Sequence, residues 1–446
     1  MSTNSLSSTK KPIISIVGTT GVGKSQFSIE LAKHINGEII NADSMQVYKK
    51  MDLITNKHPI EERENIPHHV IDYIDWNEEY HIHKFTKDAN LAIENIHQRG
   101  KIPIVVGGTH YYLQSLLFNN KTMDKSKEIT NVELTTDQLN ILDGPTDELF
   151  IELKKIDPII AEKFHPKDHR KLRRALEIWY TTSIKPSEIY HEQKIDELEE
   201  SSLKYNTIVF WLYSDPITLN DRLDSRVDKM FENGAFNEID ELYKSYVENN
   251  ADCTMGIYQV IGFKEFLPWL KDLKQDSKLL EEGIERMKIR TRQYAKYQIK
   301  WIQKTLHLEL EKESKFDFKN GGKLFVLNAT DLDDWDANVK ERGLKIIDEF
   351  LSKNNSDISI NQLPPGLESL FTKSKHSKSN KNLNSELQWK HFECDICKDS
   401  NNSNFIAIGE LAWKSHLNGK RHKKNQNSDA KRKHVEEMIK KYKKGE

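Results

Sequence analysis

The chain has 446 residues, 30% charged and 37% hydrophobic, with a mean hydropathy of −0.71. That is chain enough for two or three domains, but no apolar run approaches the roughly 20 residues of a membrane span. Met1–Pro12 lacks the apolar stretch of a secretion signal, and three cysteines exclude a disulfide framework and point to a reducing compartment. The formal charge of −2 hides a split: Thr372–Glu446 carries 18 Lys/Arg against 9 Asp/Glu, a local +9 that leaves −11 for Met1–Phe371. An acidic body with a basic tail suggests a nucleic-acid partner, the competing reading being a merely solvated tail.

In chain order, the β-branched run Ile13–Val17 predicts a strand, a Gly-rich turn follows, and Phe27, Ile29, Leu31, Ala32 and Ile35 mark a helix that stops at Gly37. Glu38–Asn41 reads as the second strand, Phe85–Gln98 as a helix and Ile102–Val106 as the third strand, stopped by Gly107-Gly108. Residues 119–204 hold helical segments (Glu148–Lys155, Ile160–Phe164, Arg170–Tyr180) and no convincing strand. Strands return at Thr207–Tyr213 and Lys323–Leu327, with helices Leu219–Leu242 and Leu279–Thr305 between them. Alternating strands and helices imply a mostly parallel sheet covered on both faces. Ser352–Gln388, rich in Ser, Asn and Lys, reads as a linker.

Gly18-Thr19-Thr20-Gly21-Val22-Gly23-Lys24-Ser25 fits the phosphate-loop pattern between a strand and a helix. Its glycines let backbone N–H groups converge on phosphate oxygens, Lys24 would reach the outer phosphate, and the Ser25 hydroxyl would ligate Mg²⁺. ATP-hydrolysing relatives of this motif place an Asp after a later strand. Here the third strand ends in Gly107-Gly108-Thr109, and the acid, Asp43, follows the second. Residues beyond strand carboxyl ends line the crevice of such sheets, so Asp43 and Thr109 are expected to face the phosphate loop. Taken singly, each also suits a helix cap.

Those segments resemble the tRNA dimethylallyltransferases, also called tRNA isopentenyltransferases. The resemblance rests on Gly18–Ser25, Ala42–Tyr48, Ile66–Asp72, Val105–Gln114, His169–Trp179, Arg222–Met230, Ile261–Phe266 and Thr291–Trp301, in family order. Tyr297 departs from it, since the family more often has Arg there. The resemblance implies transfer of a dimethylallyl group from its diphosphate to the exocyclic amine of the adenine 3′ of the anticodon, with the phosphate loop holding the leaving diphosphate. It implies Asp43 as the base, Thr109 and Arg226 as stabilisers of the diphosphate, and Asp43, Ser44, Met45, Gln46, Arg170, Lys171, Leu172, Arg173 and Arg174 as tRNA contacts. Arg222 and Arg226 share a helix face at i, i+4 and could address one anion. Ion pairing with Asp221, Asp224 or Asp228 is the competing reading, and it is preferred for Arg222. His68 and His69 are expected to be structural.

In the tail, Cys394, Cys397, His416 and His422 offer four tetrahedral Zn²⁺ ligands, spaced C-x2-C and H-x5-H around a longer middle than a common finger has. With Trp413, Leu417 and Gly419–Lys424 they resemble matrin-type fingers, which the resemblance places in eukaryotic members, as a structural zinc site. Cys253 reads as a buried apolar filler.

The expected architecture is α/β, a P-loop NTPase-like parallel sheet core with a helical insertion domain and a C-terminal C2H2 zinc finger. Its parts are core 10–118, tRNA-binding insertion 119–204, core 205–330, helix and polar linker 331–388, and finger with basic tail 389–446. The expected partners are the tRNA anticodon arm and dimethylallyl diphosphate, with Mg²⁺ and Zn²⁺ as cofactors, no membrane, and a monomer as the simplest assembly. The cytoplasm, nucleus and mitochondrion all stay open. Two other readings compete: a phosphate-loop nucleotide kinase or ATPase with an RNA-binding finger, and a non-enzymatic RNA adaptor. Intact Lys24, Ser25, Asp43 and Thr109 argue against the adaptor.

Overall fold

The computed structural model describes residues 10–119, 134–353, 357–371, 390–399 and 402–428. The first nine residues and most of the basic tail (372–389 and 429–446) lie outside them. The described residues form two compact units, one of 10–119 and 200–371, the other of 134–199, 390–399 and 402–428.

The first unit is built on β1 (Pro12–Gly18), β2 (Gly37–Asn41), β3 (His68–His69), β4 (Ile102–Val106), β5 (Asn206–Tyr213) and β6 (Gly321–Asn328). All pair in parallel, in the order β3-β2-β4-β1-β5-β6. Alternation along β1 shows why both faces must be covered. Ile14 and Ile16 join Phe27, Leu31, Phe210, Phe325 and Ile346 on one face. Ile13 and Val17 join Phe85, Ile93, Trp211, Trp301 and Val326 on the other. The helices α1 (Lys24–Ile35), α2 (Ile82–Gln98) and α3 (His110–Leu117) alternate with these strands. The two-residue β3 was not expected from the sequence; it pairs His68 and His69 with Ile39 and Ile40 through the main chain.

Glu38, the second residue of β2, is fully buried yet stays charged. It accepts from Arg99 Nη2 at 2.7 Å, Lys101 Nζ at 2.8 Å and His69 Nε2 at 2.8 Å. Hydrogen bonding from Arg99, ahead of Lys101 and His69, outweighs burial and holds its carboxyl down to about 2.

Between β4 and β5 the chain visits the second unit as α4 (Thr136–Leu142), α5 (Thr146–Ile156), α6 (Pro158–Lys163), α7 (His169–Thr182) and α8 (Pro186–Glu199). Their core is Leu142, Leu149, Leu153, Ile160, Leu172 and Leu176. Back in the first unit, α9 (Pro216–Glu232), α10 (Ala235–Glu248), α11 (Leu267–Lys271), α12 (Ser277–Trp301) and α13 (His307–Glu311) precede β6, and α14 (Arg342–Ser352) follows it.

Residues 357–371 are not a free linker, in contrast to the expectation for Ser352–Gln388. Leu363, Leu367, Leu370 and Phe371 pack on the Trp211 face, the Gln362 carbonyl accepts from Val326 N at 2.8 Å, and Phe371 stacks on His307 at 3.8 Å. Four apolar side chains in a polar stretch suffice to hold it down.

In the second unit, the hairpin β7 (His391–Lys398) and β8 (Asn404–Ile408) leads into α15 (Glu410–Asn418). This element packs on the α5–α7 helices through Lys167–Asp399 at 2.8 Å and His391 Nε2 to the Glu162 carbonyl at 2.9 Å.

Candidate active site

The phosphate loop leaves the carboxyl end of β1 and turns at once into α1. Gly23 takes φ +84°, and a Cβ there would stand 2.5 Å from the Trp335 ring, so only glycine fits. Lys24 curls back over the loop and donates to the Thr19 carbonyl at 2.6 Å. Burial, opposed by Asp43 and reinforced by Arg226, lowers its ammonium to about 8. Not every backbone donor of the loop faces the cavity, as the motif suggested. Thr20 N donates to Gln298 Oε1 at 3.0 Å.

Asp43 follows β2 as expected and is held by Met45 N, which donates to its Oδ1 at 2.9 Å. This is a local turn, not a helix cap. Burial raises its pKa, and the Met45 amide and Lys24 only partly offset that. Thr109 stands at the start of α3 but makes no side-chain cap bond. Its Oγ1 accepts from Ser44 N at 3.0 Å and donates to Ser44 Oγ at 3.2 Å, bracing the loop after β2 against the loop after β4. These loops touch closely at Gly107, where a Cβ would stand 2.2 Å from the Ala42 carbonyl oxygen.

The two arginines of α9 part company. Arg226 is half-buried beside Asp43, which opposes the desolvation that lowers its guanidinium to about 10. Its Nε has no hydrogen-bond partner among the described residues. Arg222 corrects the preferred expectation for it: it is not ion-paired to its acidic neighbours but donates to the Ala329 carbonyl at 2.9 Å and the Thr330 carbonyl at 2.5 Å. Asp224 and Asp228 instead pair with Arg292 and Lys288 of α12.

Lys24, Ser25, Asp43, Ser44, Met45, Gln46 and Arg226 line one cavity of about 620 Å³. The sequence reading missed much of its wall. Met287, Thr291, Tyr294 and Gln298 of α12 line it at spacings of 4, 3 and 4, which puts them on one helix face. That stripe runs about 16 Å at about 1.5 Å per residue, from Gln298 at the phosphate loop to Met287. On α9, Arg226 is followed by Val227 and Met230, and Ile54, Val260 and Ile261 complete an apolar end. His68 also lines the cavity, beyond its expected structural role, while its Nδ1 bonds the Ile66 carbonyl at 2.8 Å. His69 is structural, bound to Glu38.

The IPP transferase family model matches residues 46–305, and the isopentenyl transferase model matches residues 11–65. The tRNA dimethylallyltransferase of Saccharomyces cerevisiae is 49% identical over 93% of this chain and 92% of its own. The chain belongs to the tRNA dimethylallyltransferase family. The human tRNA dimethylallyltransferase is 32% identical over 92% of this chain and 85% of its own. Among solved structures, a eukaryotic dimethylallyltransferase acting on tRNA matches with a TM-score of 0.82 at 48% identity, covering 96% of this chain and all of that one.

The second unit holds the candidates of α7 and the tail. Arg170 and Lys171 are exposed on α7, Arg173 pairs with Asp143 at 3.0 Å, and Arg174 pairs with Glu177 at 2.9 Å. Leu172 corrects the expectation for that run: its side chain is fully buried in the helical core and offers no contact surface. In the first unit, Gln46 Nε2 donates to the Thr55 and Asn56 carbonyls at 3.1 and 3.0 Å, bracing the loop that carries Met45. Cys253 is half-buried at the edge of the α10–α12 packing, not a core filler.

Cys394, Cys397, His416 and His422 bring their ligand atoms within 4.8 Å of one another. His422 Nδ1 lies 3.6 Å from each sulfur and 3.2 Å from His416 Nε2. Tetrahedral zinc with bonds of about 2.3 Å to sulfur and about 2.05 Å to nitrogen sets those edges at about 3.5 and 3.3 Å. Among the described residues no helix is long and apolar enough to cross a membrane.

Proposed function

We propose that this chain transfers the dimethylallyl group of dimethylallyl diphosphate to the N6 amine of the adenine 3′ of the anticodon in tRNA. The observation that carries this is one open cleft, cationic at Lys24 and Arg226, apolar at Met230 and Met287, with the carboxylate of Asp43 on its wall. The diphosphate lies on the loop amides with Lys24 and Arg226 against its charge, and Thr109 turns its hydroxyl from Ser44 to the same anion. The amine nitrogen bonds to the allylic carbon as that carbon's bond to the diphosphate oxygen breaks, and the amine proton passes to Asp43. Burial raises the basicity of Asp43, which suits it to that proton.

Ser25, on the cavity wall, would hold Mg²⁺ with oxygens of the diphosphate, adding neutralising charge. The four-ligand cluster suits a structural Zn²⁺ with no open position, forming a C-terminal zinc finger. Ser44, Met45, Gln46, Arg170, Lys171, Arg173 and Arg174 serve the tRNA anticodon arm, whose target base must leave its stack to enter the cavity. The proposed location is the cytoplasm, with the nucleus and mitochondrion as further compartments in which undermodified tRNA is met. The kinase or ATPase alternative is not favoured, because no carboxylate follows β4.

The test supplies labelled dimethylallyl diphosphate and undermodified tRNA to the full chain. Label is expected in adenine with release of diphosphate and no ATP turnover. Absence of transfer overturns the proposal, whereas full activity in Asp43→Ala removes only the assigned base.

A further inference from the structure

Transfer requires the departing diphosphate and the attacking amine to be held in register, yet they are held by separate loops after β1, β2 and β4. One buried side chain spans them. Gln298 is 1% exposed at the end of the cavity stripe of α12. Its Oε1 accepts from Thr20 N of the phosphate loop at 3.0 Å, and its Nε2 donates to the Gly108 carbonyl after β4 at 3.2 Å. A Cβ at position 108 would stand 2.4 Å from that Nε2, so the contact depends on glycine there. Tyr294, one turn earlier on α12, donates its hydroxyl to the same carbonyl at 3.1 Å. The chain of bonds continues through Thr109, whose backbone N donates to the Ala42 carbonyl at 3.2 Å and whose hydroxyl holds Ser44, to either side of Asp43.

We propose that Gln298 is a positioning residue for prenyl transfer, clamping the phosphate loop to the loop after β4 and so setting the leaving group's place relative to Asp43. The inference rests on the function proposed above. It explains why a phosphate-loop donor is committed to protein and not left for the anion. The clamp stands on a rigid support: α12 is tied to α9, the helix of Arg226, by the Arg292–Asp224 and Lys288–Asp228 pairs, the latter at 2.6 Å. Removing the amide strands Thr20 N, leaves the Gly108 carbonyl with the Tyr294 hydroxyl alone, and breaks the direct tie between the two loops.

Two variants of the full chain test this. Gln298→Met keeps the length and packing but neither hydrogen bond. Its kcat/KM for dimethylallyl diphosphate, per folded enzyme, should fall about 10- to 100-fold, the cost of a misplacement near 1 Å, with KM for tRNA unchanged. Gln298→Glu, when protonated, again offers one acceptor and one O–H donor. Its rate relative to wild type should therefore rise as the pH is lowered from about 8 to about 5.5, the carboxyl being pushed up by burial. Wild-type kinetics in Gln298→Met overturn the proposal, as does a pH-independent rate ratio for Gln298→Glu. The second readout holds even if the methionine variant does not fold. An inactive wild-type chain would bring down the proposed function as well, and so is distinguishable.

Discussion

Lys24 sits in the cavity as a cation that the free protein disfavours. Its ammonium is lowered from 10.5 to about 8, chiefly by burial, which at about 1.4 kcal/mol per unit is a cost of about 3 kcal/mol for charging it there. A bound diphosphate repays that cost by supplying the opposite charge, so substrate draws the proton onto Lys24. In the free enzyme the charged fraction declines above pH 8. The value of kcat/KM for dimethylallyl diphosphate should then fall about tenfold per pH unit on the alkaline side. Lys24→Arg should lower the plateau, since a fork-shaped guanidinium does not repeat the bond to the Thr19 carbonyl, but should abolish the fall, because arginine stays charged. The assay is initial transfer rate at limiting donor and saturating tRNA from about pH 6.5 to about pH 9.5. An alkaline fall that keeps its midpoint near 8 in Lys24→Arg would refute the assignment to Lys24.

The other predictions concern stability and metal. The carboxyl of Glu38 is depressed to about 2, so its stabilisation is full above its ordinary value of 4.5 and vanishes as the pH falls through about 2. Glu38→Gln should therefore cost about 2–3 kcal/mol at pH 7, with the deficit in urea midpoint closing in acid; a deficit that is the same at both pH values would contradict this. Gly107→Ala must part β2 from β4 and should cost about 3 kcal/mol or more by denaturant titration, a near-neutral result being incompatible with the approach to Ala42. Chelation of zinc, or Cys397→Ser, should speed hydrogen exchange in His391–Lys398 and Glu410–Asn418 while leaving β1, β4 and β5 unaffected; unchanged exchange in the hairpin would argue against a metal there.

The buried strands were legible almost to the residue. Ile102–Val106 matches β4, and Ile13–Val17 lies one residue inside β1 at each end, because strands covered on both faces need unbroken β-branched runs. His68-His69 carries no such signal, since an edge strand of two residues is held by main-chain bonds alone. Asp43 and the phosphate loop could be read because their positions follow from strand ends. Gln298, Met230 and Met287 could not, because amides and methionines on a helix look like ordinary packing; only the 4, 3, 4 spacing hinted at a shared face. Arg222 and Arg226 show the limit of periodicity. They share a face, but whether that face meets a cavity or the end of β6 is set by tertiary structure. Likewise, composition marked 357–371 as polar chain, while the docking of Phe371 on His307 depends on a surface formed far away in sequence.

Gly107 also limits which chemistry this sheet can carry. In ATP-hydrolysing sheets of this kind a metal-binding aspartate occupies the end of such a strand. Here the carboxyl ends of β2 and β4 are pressed together so closely that position 107 admits no side chain at all. Moving the strands apart to admit one would displace Ala42 and, with it, Asp43. In this geometry a carboxylate at position 107 and the present placement of Asp43 exclude one another.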